Sequence, residues 1–171
     1  MEKIVYYTDG SCSGNPGPGG FAYIRLSKEC RQTYMESIES ISVAESYAEY
    51  CDETTNNREE LKAIIKVLEL IEPTKQQYEY VIYSDSAYAV NICNDWMWKW
   101  KENGWRKNKT SAVKNLDLVT KLYNLLIHNT EVQIKKCDGH SGVLENELCD
   151  ALASKNETKF NRLIKEHHIL L

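Results

Sequence analysis

Residues 4–20 read Ile-Val-Tyr-Tyr-Thr-Asp-Gly-Ser-Cys-Ser-Gly-Asn-Pro-Gly-Pro-Gly-Gly, and residues 81–86 read Val-Ile-Tyr-Ser-Asp-Ser. Each opens as a short run of β-branched and aromatic residues, the composition of a buried strand. Each strand then ends on an acid, Asp9 or Asp85, followed by turn-forming residues. In α/β sheets, sites form where strands end. If the two strands are neighbours, the carboxylates lie side by side and repel unless cations sit between them. Mg²⁺ fits that place, because hard cations take oxygen ligands. Either Asp alone reads as a turn former; only their matching positions point to a metal.

Outward from these strands, the periodicity describes one α/β sheet. Phe21–Ser27 and Gln32–Ile38 predict two further strands joined by a polar loop at Lys28–Arg31. The acidic, weakly periodic stretch Glu39–Glu53 reads as a loop or an extra edge element. Apolar residues at 61, 64, 65, 67, 68 and 71 predict a helix over Arg58–Glu72, ending before Pro73. A strand at Tyr80–Tyr83, helices at Ser86–Cys93, Asp95–Glu102 and Val113–His128, a strand at Glu131–Lys136 and a helix over Glu145–Lys155 complete the order. No internal repeat or linker interrupts it.

The first helix carries two adjacent acids. At 100° per residue, Glu60 lines up with Ile64 and Val67 on the border of the apolar stripe. Glu59 points away, beside Lys62 and Lys66, as a surface residue in an ordinary i, i+3 pair. A carboxylate bordering a buried face needs a partner, and a metal supplies one. Glu60 is therefore the expected ligand.

The 171-residue chain has a formal net charge of −4, which counts against nucleic-acid binding by overall charge. Its distribution is uneven. Six basic residues (Lys99, Lys101, Arg106, Lys107, Lys109, Lys114) face one acid, Glu102, between positions 99 and 114. Such a patch suits an enzyme that grips phosphates in one place and holds cations in another, although a charge run is usually a solvated face. The six cysteines contain no Cys-x-x-Cys pair, which predicts reduced thiols. A strand pattern that starts at once, and the absence of a long apolar run, predict a cytoplasmic protein without signal peptide or membrane span.

Taken together, six ordered segments resemble type 1 ribonuclease H. They are residues 7–20, Thr-Thr-Asn-Asn-Arg-Glu-Glu-Leu (54–61), Tyr-Ser-Asp-Ser (83–86), Trp-Lys-Glu-Asn-Gly-Trp (100–105), Val-Lys-Asn-Leu-Asp-Leu (113–118), and Gly-His-Ser-Gly with Asn-Glu-Leu-Cys-Asp (139–150). The resemblance implies a ribonuclease H-like fold, a five-stranded mixed sheet flanked by helices, with a catalytic domain over 1–158 and a tail of unknown role over 159–171. It places four metal-binding acids on Asp9, Glu60, Asp85 and Asp150. Asp150 comes from the resemblance alone, since an acid in the first turn of a helix usually serves the dipole. Two Mg²⁺ ions, or Mn²⁺ instead, would direct a water in line onto an RNA phosphodiester of an RNA–DNA hybrid. The implied products carry 5′-phosphate and 3′-hydroxyl ends.

The resemblance also puts a histidine that aids proton transfer or product release at His140. Cys12, Gly14, Asn15, Asn56 and Asn57 match positions meeting the hybrid in its minor groove, with a helix cap as the plainer role for Asn56 and Asn57. Thr55 and Asn115 match a DNA-phosphate pocket, and Trp96 an aromatic lining the DNA channel. Trp100 and Trp105 are expected to pack the basic segment onto the body. Glu53 stands where relatives often carry arginine, and Ala87 replaces a longer side chain. No protein partner is implied, so the chain is expected to be a monomer. A different nuclease or strand transferase on the same fold would lack the Asn-Asn-Arg-x-Glu and Gly-His-Ser-Gly segments. A binding module without catalysis would have no use for four acids.

Overall fold

The computed structural model describes residues 1–138 and 143–171. Five strands form one mixed sheet in the order β3-β2-β1-β4-β5. They are β1 (Lys3–Cys12), β2 (Gly17–Gln32), β3 (Ser37–Thr54), β4 (Glu79–Ser84) and β5 (Gln133–Lys136). β1 runs antiparallel to β2 and parallel to β4. Among the described residues the α-helices are α1 (Asn56–Ile71), α2 (Ala87–Asn91), α3 (Met97–Glu102), α4 (Leu116–Leu126), α5 (Leu144–Ala153) and α6 (Glu157–Glu166). A π-helical turn at Ile92–Trp96 joins α2 to α3. This is the five-stranded mixed sheet with flanking helices that the resemblance implied.

The sheet separates two cores. On one face, Leu61, Ile64 and Leu68 of α1 meet Ile82 of β4 and Leu122 of α4. On the other, Ala22 and Ile24 of β2 meet Leu148 and Cys149 of α5, with Leu163 and Ile169 closing the end. No helix among the described residues is long and apolar enough to cross a membrane.

The β2–β3 hairpin departs from expectation. Lys28–Arg31 lies within β2 and the turn falls at Thr33–Glu36, while the 39–53 stretch is the edge element of its two expected alternatives, not the loop. A bulge explains the weak periodicity of β3. Arg25 pairs with Glu45 but Leu26 pairs with Val43, so Ala44 is extra and the inward-facing set switches from odd to even positions. Ile41, Val43 and Ala48 therefore share one core despite their mixed spacing. Such a phase change hides a strand from a period-two reading.

Candidate metal centre

The register of β1 against β4 ends at Thr8↔Ser84, which puts Asp9 and Asp85 at corresponding next positions. Asp85 follows the last residue of its strand. Asp9 does not end β1, which continues to Cys12 against β2. What ends at Asp9 is the pairing with β4, so the two chains part there and the carboxylates face the gap.

Gly10 brings the third acid in. A Cβ at position 10 would lie 2.3 Å from the Glu60 nitrogen, so only glycine lets β1 run against the first turn of α1. Thr55, not Asn56 or Asn57, caps that helix, its side chain accepting from the Arg58 N–H. Asp9, Glu60 and Asp85 each offer a carboxylate oxygen within 4.8 Å of the others. Asp9 and Glu60 are both only 3% exposed.

Burial, then the charges of Asp85 and Asp150, push the Asp9 carboxyl up to about 8. Burial, then Asp9 and Asp85, hold Glu60 well above the usual carboxylate range. Glu60 Oε2 is buried without a hydrogen-bond partner. None of the three acids is in an ion pair among the described residues. An all-oxygen donor set that is short of positive charge fits a hard divalent cation.

Asp150 stands beside this trio and acts on Asp9 both by charge and by a side-chain hydrogen bond. It is the seventh residue of α5, past the first turn, so a dipole role does not apply. Lys159 Nζ donates to its Oδ2 at 2.7 Å. Beneath the site, the Cys149 thiol donates to the Ala22 and Tyr7 carbonyls at 3.3 and 3.5 Å. Burial keeps that thiol well above its ordinary value, with the site acids adding to the effect. Cys149 had no role of its own within the quoted Asn-Glu-Leu-Cys-Asp segment and Lys159 carried no signal, because only the packing of α5 and α6 brings them here.

Glu59 is a correction. It is 1% exposed rather than on the surface. Its Oε1 accepts from Lys62 Nζ, the expected partner, and from Thr54 Oγ1, both at 2.7 Å, while Oε2 has no partner. The last residue of β3 and the backbone of Gly10 close over the start of α1, covering a face that is solvent-facing on an isolated helix. His140 lies outside the described residues.

The other candidate residues form two neighbouring groups. Asn15 Oδ1 accepts from the Asn56 N–H at 2.9 Å, tying the turn of Gly14 and Asn15 to the start of α1, where Asn57 is exposed. Cys12 Sγ donates to the Thr54 carbonyl at 3.2 Å. In the second group, Arg58 reaches from beside Thr55 to Asn115 at 3.4 Å and forks onto Asp117 at 2.9 and 2.7 Å. Asn115 also donates to the Tyr88 hydroxyl at 2.9 Å.

Beyond it, Tyr88, Trp96, Trp100, Lys107, Val113 and Lys114 line a cavity of about 400 Å³. Trp96 lies 6.3 Å from Tyr88 and 6.0 Å from Trp100. Trp105 packs on Tyr123, as expected of a body contact. Trp100 also packs against the first core, as expected, and lines the cavity in addition.

The sequence profile of the RNase H family matches residues 1–158. A ribonuclease H of Caldicellulosiruptor saccharolyticus is 40% identical over 155 residues, covering 90% of this chain and 94% of its own. Among solved structures, LC9-RNase H1, described as a type 1 RNase H with the type 2 active-site motif, superposes with a TM-score of 0.66 at 28% identity over 90% of this chain and 71% of that one. LC11-RNase H1, solved in complex with an RNA/DNA hybrid, shares the fold with a TM-score of 0.57 at 20% identity over 88% of this chain and 93% of its own.

Proposed function

The chain belongs to the type 1 ribonuclease H family, and from that premise we propose that it is a divalent-metal-dependent endonuclease acting on the RNA strand of RNA–DNA hybrids. The observation that carries this reading is the convergence of buried Asp9 and Glu60 with half-buried Asp85 within 4.8 Å. With Asp150 beside them, these acids would hold two Mg²⁺ ions, or Mn²⁺ instead. Bound there, the ions would activate a water for in-line attack and stabilise the leaving 3′ oxygen, giving 5′-phosphate and 3′-hydroxyl ends. Before cations arrive, burial and repulsion keep a proton on Asp9 near neutral pH. Metal binding should therefore release protons.

Cys12, Gly14, Asn15, Asn56 and Asn57 occupy one ridge, which suits reading 2′-hydroxyls across a minor groove. Thr55, Asn115 and Arg58 offer a neighbouring set of donors for a phosphate of the DNA strand. The cavity at Trp96 adds aromatic faces between lysines, which suits a DNA strand running past it. His140 is assigned to proton transfer or product release. The catalytic domain spans 1–158, and the protein acts as a cytoplasmic monomer. That a fold neighbour was solved with an RNA/DNA hybrid supports this choice of substrate.

A labelled RNA–DNA hybrid, with duplex RNA and duplex DNA as controls, tests the reading. Cleavage of the hybrid's RNA alone, with Mg²⁺ and not with EDTA, is the expected result. Binding of the hybrid without cleavage would instead make the chain a binding module.

A further inference from the structure

Residues beyond 158 carry no motif that explains them, yet they are held at several points. Asn156 caps α6, accepting from the Lys159 N–H at 3.0 Å. Leu163 and Ile169 are buried in the second core, with Phe160 and Ile164 packed around them. Leu170 then pairs with β3, donating to the Ile41 carbonyl and accepting from the Val43 N–H at 2.9 and 2.8 Å. The first turn of α6 is thereby fixed, and Lys159 projects from it to Asp150.

We propose that Lys159 is a positioning residue, a tethered cation that holds the Asp150 carboxylate in the metal-free protein and competes with a divalent ion for it. The assignment rests on the metal-site reading above. Lys159 Nζ lies 2.7 Å from Asp150 Oδ2, and the two side chains are only 22% and 29% exposed, so solvent screens the pair weakly. Asp150 differs in this from Asp9, Glu60 and Asp85, which have no such cation among the described residues. An ion taking Asp150 as a ligand meets either an occupied oxygen or a nearby ammonium, and both lower its affinity. The chain segment after the catalytic domain thus reaches the site through one side chain. It sets how much divalent metal the site requires.

Calorimetric titration of the metal-free protein with Mn²⁺ and Mg²⁺ tests this, with four chains compared. Lys159→Met should bind metal roughly tenfold more tightly than the parent, as expected when a neighbouring positive charge is removed. Lys159→Arg, which keeps the charge, should stay close to the parent. Lys155→Met removes the same charge from a lysine that instead lies 4.9 Å over the Tyr50 ring, and should change affinity less than twofold. Cleavage by Lys159→Met should also reach half its maximum at a lower Mg²⁺ concentration. Equal affinity in Lys159→Met and the parent, or the same gain in Lys155→Met, overturns the role of Lys159. A folded parent that binds no divalent ion overturns the underlying metal reading instead, so the two failures are told apart. Should Lys159→Met fold poorly by circular dichroism, Lys159→Gln serves in its place.

Discussion

Asp9→Asn keeps the side-chain shape and an oxygen for the Gly10 N–H, now bonded at 2.9 Å, while removing a carboxyl that the metal-free fold must keep protonated near neutral pH. The metal-free fold holds the Asp9 carboxyl at about 8 against an ordinary 3.8. Roughly three pH units separate 3.8 from neutrality, and each is worth about 1.4 kcal/mol. The acid therefore destabilises the metal-free fold at pH 7 by on the order of 4 kcal/mol. Glu60 and Asp85 remain after the substitution and still repel each other, so a gain of about 2–4 kcal/mol is expected. For a domain of this size that is a rise in Tm of roughly 4–15 °C.

The pH dependence has a definite sign. A raised acid favours the protonated fold, so the penalty is absent below 3.8, grows as pH rises towards about 8, and is level beyond it. Thermal melts of parent and variant in EDTA between pH 4 and 9 should show a gap that opens through that window and then holds. Adding Mg²⁺ should narrow it, since chiefly the parent gains. A gap that is absent, or constant across pH, would refute the claim that Asp9 is held out of its usual range by burial and its neighbours.

Glu60→Gln should lose nearly all turnover while keeping or raising stability in EDTA. Glu59→Gln should instead keep its turnover and lose about 1–3 kcal/mol in chemical denaturation, because it weakens a buried pair with Lys62 and Thr54. Gly10→Ala should cost both activity and stability, measured together by hydrolysis and melting, since its Cβ would meet the Glu60 nitrogen at 2.3 Å. Glu53→Arg should lower KM for the hybrid at moderate salt with kcat little changed. The combined Lys101→Ala, Arg106→Ala, Lys107→Ala variant should raise KM and flatten the salt slope by roughly 0.7–0.9 for each phosphate no longer neutralised. Unchanged salt dependence there would place the DNA strand elsewhere.

How much was legible follows from the range of each signal. Asp9, Asp85 and Glu60 could be read because each depends on local period: two strands of matching form and one helical phase. The sequence divides this segment into helices at 86–93 and 95–102, whereas a π turn at Ile92–Trp96 joins α2 to α3, a local i, i+5 pattern that hydrophobic spacing does not register. Glu59 was misread because helical phase describes an isolated helix, whereas the end of β3 and Gly10 cover this one from outside. In the β2–β3 hairpin, Lys28–Arg31 looks like a loop because it is polar and exposed, and the bulge at Ala44 breaks the alternation of β3. Asp150 needed the family resemblance, because only the packing of α5 against β1 and β2 carries it to Asp9. Lys159 could not be found at all, as nothing in residues 157–166 says which carboxylate the helix will meet.

The acids come from opposite sides of the sheet, and this explains why the site forms at Asp9. α1 packs on one face and delivers Glu60; α5 packs on the other and delivers Asp150. Two elements on opposite faces can share a site only where the sheet stops separating them. β1 offers such a place at Asp9, where β4 has ended at Ser84 while β2 continues alongside to Cys12. Each core then pulls its own acid towards the same gap. The burial that stabilises the two cores, at about 25 cal/mol per Å² of apolar surface, offsets the repulsion among the carboxylates. A cation that relieves the repulsion would consequently tighten both faces at once, so metal should protect amide hydrogens in α1 and α5 together. Protection confined to one of the two helices would mean that the acids do not share an ion.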